Sequence, residues 1–404
     1  MQFHTIPGQS HSSAQLADMI HQNRLSHALL FLGKEGSGAL PLAIAFAQFI
    51  LCKKSQGKAS PSDMGSLFGE PEPIAASPLM DSCGSCPSCN KVSQLIHPDL
   101  HFTFPVIPRK TGEKPVSKDY ITEWREFIAS TPFGNAYDWL QRIGAENKQG
   151  NITAAECSEI IRNMNLKSYE GDYKILILWM PEYLDKEGNK LLKLIEEPPA
   201  DTLFILVAEN ESQILPTILS RCQLVKIPAM ETDAITDAII TRSGLSRDQA
   251  AQLAAIADGN LREALMLLEH ADDDWLTYIR EWLNAILKNG PVAQVKWVEE
   301  VSKLGREKQK QLLRYFNHLI EQAIRAGVWD ASGQSAHLNL PQQELEFARK
   351  LNQFVEPAQQ QAMIEELDKA TYYIERNANP KILFQALTLK LYHIIANKSL
   401  LLIS

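Results

Sequence analysis

The sequence predicts an α/β domain followed by helices alone, on three observations. Apolar strand candidates at Ala28–Leu32, Lys174–Leu178, Leu203–Val207 and Leu224–Ile227 alternate with helical segments over residues 1–228. Such alternation builds a largely parallel sheet with helices on both faces. A glycine-rich turn follows the first strand. From about residue 230 only helical periodicity remains. The 404 residues therefore divide into an αβ part (1–228), a short helical part (229–272) and a long helical part (273–404).

The first strand runs into Gly33, Gly36 and Gly38, and a helical apolar run begins near Pro41. This is the spacing of a phosphate loop, which reads G-x-x-x-x-G-K-[ST], with the lysine on the β/γ-phosphates and the hydroxyl on Mg²⁺. Counted from Gly33, the lysine position holds Ala39 and the hydroxyl position holds Leu40. The cradle is kept and its chemistry is lost. Further on, Thr153-Ala154-Ala155-Glu156 is a capping box that starts a helix at about 154, to stop before Gly171. Leu191, Leu192, Leu194 and Ile195 give an apolar helical face between Asp185 and Pro198, and Pro198-Pro199 ends it. In the helical parts, Ser246-Arg247-Asp248-Gln249 is a second capping box. Asn379 and Pro380 start a last helix lined by Leu383, Leu387, Leu391 and Ile394.

Two segments break the rhythm. Residues 53–82 are rich in Ser, Gly and Pro and read as a mobile loop. Residues 105–150 carry "PVIPRKTGEKPVSKD" and then Trp124, Phe127, Tyr137 and Trp139. That second part is too apolar for a linker and reads as an insertion that packs somewhere on the protein, with no role that the sequence assigns.

Composition is that of a soluble globular protein, 45% apolar and 22% charged. No stretch approaches the roughly 20 apolar residues of a membrane span, and "LLLIS" at the C-terminus is too short for an anchor. The N-terminus lacks the basic and apolar regions of a signal peptide, so the expected compartment is the cytoplasm. A net charge of −8 argues against tight autonomous binding of nucleic acid through a global basic field. Local phosphate contacts within a larger assembly stay open.

Six cysteines occur. Cys83, Cys86 and Cys89 form C-x₂-C-x₂-C, and Cys52 ends the helix after the glycine loop; Cys157 and Cys222 stand alone. In a reducing compartment such a cluster argues metal before disulfide. Structural zinc takes four thiolate or imidazole ligands. An iron–sulfur cluster is the alternative, but the run C-x₂-C-x₂-C-x₃-C-P is not completed. Cys52 is separated from the other three by a long loop, which leaves His97 and His101 as possible substitutes.

One run, "NKLLKLIEEPPADTLFILVAENESQILPTILSRCQ" at 189–223, is similar to the L-L-K-x-x-E-E-P-P block, sensor strand and Ser-Arg-Cys motif of bacterial AAA+ clamp-loader subunits. "SHALLFLG" at 26–33, "HPDL" at 97–100, "GNLREAL" at 259–265 and "NANPKILFQALTLKL" at 377–391 resemble that family in the same order. The resemblance covers most of the chain apart from 53–82 and 105–150. It implies an AAA+ αβ domain with a zinc module inserted at about 52–89, a helical lid over 229–272 and a helical collar over 273–404 that assembles a pentamer. It agrees with the spacing on zinc held by Cys52, Cys83, Cys86 and Cys89.

Arg221 in "SRC" would otherwise read as a surface arginine; the resemblance implies an arginine finger acting on a neighbouring subunit. Arg262 matches the sensor-2 arginine, which contacts a triphosphate or, without one, braces the lid. The family's gamma/tau subunits keep the lysine, the hydroxyl and acidic residues after the "KILIL" strand, and are the ATP motors. Here Trp179 and Met180 stand in the acidic positions, and Glu182, displaced along the chain, reads as a solvated loop carboxylate. The departure implies a subunit that does not hydrolyse ATP. It would act with gamma/tau and delta subunits to place a sliding clamp on primer-template DNA. Two rivals are an active gamma/tau-type ATPase, opposed by Ala39, Leu40, Trp179 and Met180, and a free-standing zinc-dependent DNA-binding protein, opposed by the acidic charge and the collar-like helices.

Overall fold

The computed structural model describes residues 1–55, 80–110, 112–145, 150–269, 275–332, 342–375 and 378–396. Most of the loop expected at 53–82, and the C-terminal "LLLIS", lie outside the described residues. The chain forms two compact units: Met1–Arg242 with Ala257–Glu263, and Ser243–Ile256 with Ala264–Ser404.

The first unit is built on a five-stranded sheet in the order β2-β3-β4-β1-β5, with every pair parallel. Its strands are β1 (Ala28–Gly33), β2 (Leu100–Thr103), β3 (Lys174–Trp179), β4 (Thr202–Ala208) and β5 (Gln223–Ile227). Register is set by pairs such as Ala28↔Phe204, Leu29↔Gln223, Lys174↔Thr202 and Leu100↔Ile175. β3 and β4 are buried at every residue, as central parallel strands covered on both faces must be, while β5 at the edge alternates. One face, including Leu30, Leu176 and Phe204, packs on α6 (Ala154–Met164), α7 (Leu192–Glu196) and α8 (Pro216–Leu219). The other receives α2 (Ala39–Leu51), a helix apolar all round except Gln48 and buried along its whole length. Phe31 and Phe46 meet there with ring centroids 6.0 Å apart.

Four of the strands coincide with those expected; β2 is added. Its four residues include His101, and it is too short to show a period. Three further local expectations are adjusted. α6 ends at Met164, well short of Gly171. The Lys174 ammonium takes the carbonyls of Asn163, Leu166 and Lys167, the groups a helix end leaves unpaired. Asp99 meanwhile accepts from the amides of Tyr169, Glu170 and Gly171. The capping box at 153–156 is half made. Thr153 Oγ1 accepts from the Glu156 amide at 3.2 Å, but the Glu156 carboxylate accepts instead from Thr103 Oγ1 (2.7 Å) and the Ser117 amide (2.6 Å). Finally, the apolar face before Pro198 lies mostly on α7, with Leu192, Leu194 and Ile195, while Leu191 ends a preceding 3₁₀ segment, Pro181–Leu191, broken at Asp185 (φ 45°).

The second unit is helical throughout its described residues. α10 (Arg247–Ala257) begins on the expected reciprocal cap, with Gln249 Oε1 and Ser246 Oγ each accepting the other residue's amide. The rest is α12 (Trp275–Asn284), α13 (Gly290–Val301), α14 (Arg306–Ser332), α15 (Gln342–Phe354), α16 (Pro357–Glu375) and α17 (Pro380–Ala396). Trp282 and Trp297 stack at 4.3 Å in its core. Asn379 caps α17 as expected, and Leu387, Leu391 and Ile394 are buried with Leu383 partly so.

Candidate functional site

The loop after β1 sits at the carboxyl ends of the parallel strands, where open α/β sheets bind ligands. Gly36 (φ 71°) and Gly38 (φ 85°) are left-handed, which a side chain would strain. At Gly36 there is also no room: a Cβ would lie 1.9 Å from Asn260 Oδ1. Gly33, Gly36 and Gly38 thus come together in one turn leading into α2, as the spacing predicts.

Ala39, Leu40, Trp179 and Met180 line the same cleft. All four are buried, so apolar side chains line the cleft, and Ala39 and Leu40 stand where the phosphate-loop motif has its lysine and hydroxyl. Met180 is itself left-handed (φ 60°). Glu182 is not solvated: its Oε1 accepts from the amides of Glu209 (2.7 Å) and Asn210 (2.9 Å), tying the end of β3 to the end of β4. Burial pushes its carboxyl up.

The cleft is also occupied. Pro132, Phe133 and Gly134, from the 105–150 segment, form part of its lining, and the remaining space is about 30 Å³, room for a water or two. The segment folds as α4 (Ile121–Ser130) and α5 (Ala136–Arg142). Its neck is closed by two hydrogen bonds of 3.0 Å between Val106 and Asn151. Trp124 stacks on Phe104 (4.2 Å) and meets Trp139 edge-on (5.2 Å), and it packs against Trp179 (5.1 Å). The Trp139 indole donates to Pro105 O.

Arg262, in the first turn of α11 (Leu261–Glu269), is brought to the phosphate loop, with its side chain only 2% exposed. Its Nε and Nη2 donate to the two oxygens of Asp138 at 2.5 and 2.6 Å, and Nη1 donates to Glu35 at 2.9 Å. Arg221 is placed elsewhere, between α8 and β5, and is partly exposed. Its Nε donates to Glu196 (2.6 Å) and its Nη1 to Thr217 O (2.6 Å).

The four cysteines singled out converge, their sulfurs all within 4.8 Å of one another. A tetrahedron with Zn–S of about 2.3 Å requires S···S separations of about 3.8 Å, and Cys83 Sγ to Cys89 Sγ is 3.9 Å. The amides of Cys83, Cys86 and Cys89 donate to the sulfurs of Cys52, Cys83 and Cys86, each at 3.4 Å. The Cys89 contact pulls the Cys52 thiol down to about 4, and the same contact drives the Cys89 thiol up. Four thiolates this close repel one another unless a cation joins them, so the donor set fits a metal ion. His97 and His101 stay out of it. His97 Nε2 pairs with Ser88 Oγ (2.8 Å) and Glu170, and its Nδ1 with the Asp99 amide.

Sequence reasoning did not find Glu35, Phe133 or Asp138. A signal existed at Asn135-Ala136-Tyr137-Asp138, a capping pattern: Asn135 Oδ1 accepts the Asp138 amide (3.0 Å) and Asp138 Oδ2 accepts the Asn135 amide (3.1 Å).

A sequence model described as "DNA polymerase III, delta subunit" matches residues 8–231, more than half of the chain. The chain belongs to that family. It is 27% identical over 252 residues to the DNA polymerase III subunit delta' of Bacillus subtilis, covering 62% of this chain and 56% of that one. The subunit delta' of Escherichia coli is 24% identical, over 84% of this chain and 80% of the relative. The tau/gamma subunit of Haemophilus influenzae is 25% identical over 67% of this chain but only 30% of its own length. Among solved structures, a gamma subunit-related protein from Thermotoga maritima aligns over 93% of this chain and 98% of its own, at 13% identity and a TM-score of 0.37. Among the described residues no helix is long and apolar enough to cross a membrane.

Proposed function

We propose that this chain is a delta'-type, non-hydrolysing subunit of the clamp loader of DNA polymerase III. In this reading it works in the cytoplasm in a hetero-pentamer with gamma/tau and delta subunits that opens a sliding clamp and places it on primer-template DNA. Residues 1–228 are its AAA+ domain, 229–272 the lid and 273–404 the collar. Zinc, held by Cys52, Cys83, Cys86 and Cys89, ties the end of α2 to the knuckle at 83–89. Arg221 serves the ATP site of an adjacent motor subunit. A guanidinium keeps its charge and offers a planar fork of donors, which suits the spreading charge of a transferring phosphoryl group. Glu196 holds that guanidinium in the isolated chain.

The observation that carries the non-hydrolysing reading is the substituted cleft, Ala39, Leu40, Trp179 and Met180. The missing lysine alone removes a charged hydrogen bond worth about 1.5–3 kcal/mol, and nothing holds Mg²⁺. The deciding experiment is steady-state ATPase of the purified chain, alone and mixed with gamma and delta subunits. No turnover is expected alone, nor from Ala39→Lys with Leu40→Thr, because Trp179 and Met180 still leave the metal unheld. Magnesium-dependent turnover by the unmodified chain would overturn this reading and favour a gamma/tau-type motor.

A further inference from the structure

We propose that the 105–145 segment is a built-in occupant of the former nucleotide cleft, with the carboxylates of Asp138 and Glu35 standing on Arg262 where nucleotide phosphates would stand. This rests on reading the cleft as one that lost its nucleotide chemistry.

Three independent pieces of geometry converge on it. The first is the docking post. Trp179 stands in the position of a metal-holding acid, and the insertion builds its aromatic core on that residue through Trp124 and Phe127. The same substitution removes a magnesium ligand and supplies the apolar surface that holds the insertion down. The second is the filling. The turn between α4 and α5 lies over the glycine loop, with Phe133 Cε1 3.3 Å from where a Gly38 Cβ would be. The turn thereby narrows the space over the loop to about 30 Å³.

The third is the charge. A buried guanidinium that loses a carboxylate partner is strongly destabilised, so without the insertion Arg262 would lose its bidentate partner Asp138 and keep Glu35. Asp138 offers a bidentate carboxylate, the geometry that a guanidinium matches best in place of phosphate. The reciprocal Asn135–Asp138 cap fixes that carboxylate independently of Arg262. Glu35, inside the glycine loop itself, takes the third donor and also accepts from Asn260. An incoming polyphosphate meets two carboxylates, a phenyl ring and an arginine already paired. The chain's own residues therefore hold the phosphate-binding groups of the cleft, and Arg262 stays in one place whatever the nucleotide concentration.

The test is binding of Mg-ATP and of inorganic tripolyphosphate to the full chain, by thermal shift and by calorimetry. The unmodified protein should show neither heat nor shift at millimolar ligand. Asp138→Asn keeps the shape and removes one carboxylate charge, and should gain measurable tripolyphosphate binding. Phe133→Gly with Asp138→Ser should bind at least tenfold more tightly than the parent, and adding Arg262→Met should abolish the gain. Circular dichroism and gel filtration check that each variant is folded. Binding by the unmodified chain equal to that of the variants would overturn the proposal, as would a folded Asp138→Asn that gains nothing. Neither result touches the non-hydrolysing reading, which falls only if the parent turns ATP over.

Discussion

Trp179, the last residue of β3, packs its indole against Trp124 of α4 with ring centroids 5.1 Å apart and planes inclined at 49°. With the neighbouring Phe127–Trp179 and Phe102–Trp124 contacts, it joins the sheet to an insertion some fifty residues earlier in the chain. Both indole rings are almost wholly buried.

Trp179→Ala should therefore destabilise the first unit by about 3–5 kcal/mol, the usual cost of emptying a buried tryptophan site. Trp179→Phe should cost clearly less. Urea unfolding followed by far-UV circular dichroism measures both. A loss below 1 kcal/mol for the alanine variant would mean that the insertion is held by other contacts.

Metal analysis should find about one zinc per chain, and Cys86→Ser should lose it. Chelation should raise amide exchange around 80–95 and leave β1, β3 and β4 protected, because the knuckle contacts the sheet unit chiefly through α2. Iron with visible absorbance, or no metal in freshly purified protein, would count decisively against the assignment.

Arg221→Ala should fold and assemble like the parent while the ATP site it faces slows by up to roughly 10³–10⁵, the range for arginine fingers supplied in trans. Arg221→Lys should rescue little, since an ammonium lacks the fork. Glu196→Ala, which removes the guanidinium's carboxylate partner, should leave loading intact. Clamp-stimulated ATPase of reconstituted complexes, with gel filtration for assembly, reads all three. An alanine variant that loads clamps normally would make Arg221 an ordinary surface residue.

Stability should fall as pH drops below neutral. Burial pulls the His101 imidazole down to about 4, the nearby Lys174 ammonium adds to this, and Asp99 opposes it. The unfolded chain protonates this residue near its ordinary value of about 6.5. Between pH 7 and pH 5 only the unfolded state takes up the proton, so stability is lost, by about 2 kcal/mol for this group. His318, also buried and pulled down to about 4, acts with the same sign in the second unit. His101→Phe should flatten the decline for the first unit, as followed by unfolding at the two pH values. An unchanged slope would show that His101 protonates freely in the folded protein.

The sequence by itself determined the parts whose signals are local. Apolar runs of four or five residues specified four of the five strands. Gly36 and Gly38 specified the left-handed turn before α2. Asn379 and Ser246 specified helix starts, and the spacing of Cys83, Cys86 and Cys89 specified a three-thiol knuckle. Each depends on residues within a few positions of one another, where backbone sterics and capping decide the outcome. Tertiary structure decided what long-range contact alone can settle. Cys52 rather than His97 completes the thiol cluster because α2 delivers it there across the loop. Glu156 leaves its expected cap for Ser117 and Thr103 because a buried carboxylate takes the partners that burial brings. In the 105–145 segment the one local signal, the cap at Asn135–Asp138, marks a helix start and not a role, since the role lies in surfaces contributed by other elements: Trp179 from β3, the glycine loop from β1, and Arg262 from more than a hundred residues downstream. Side-chain pairing across such separations leaves no period in the chain, and folding alone brings Asp138 to Arg262.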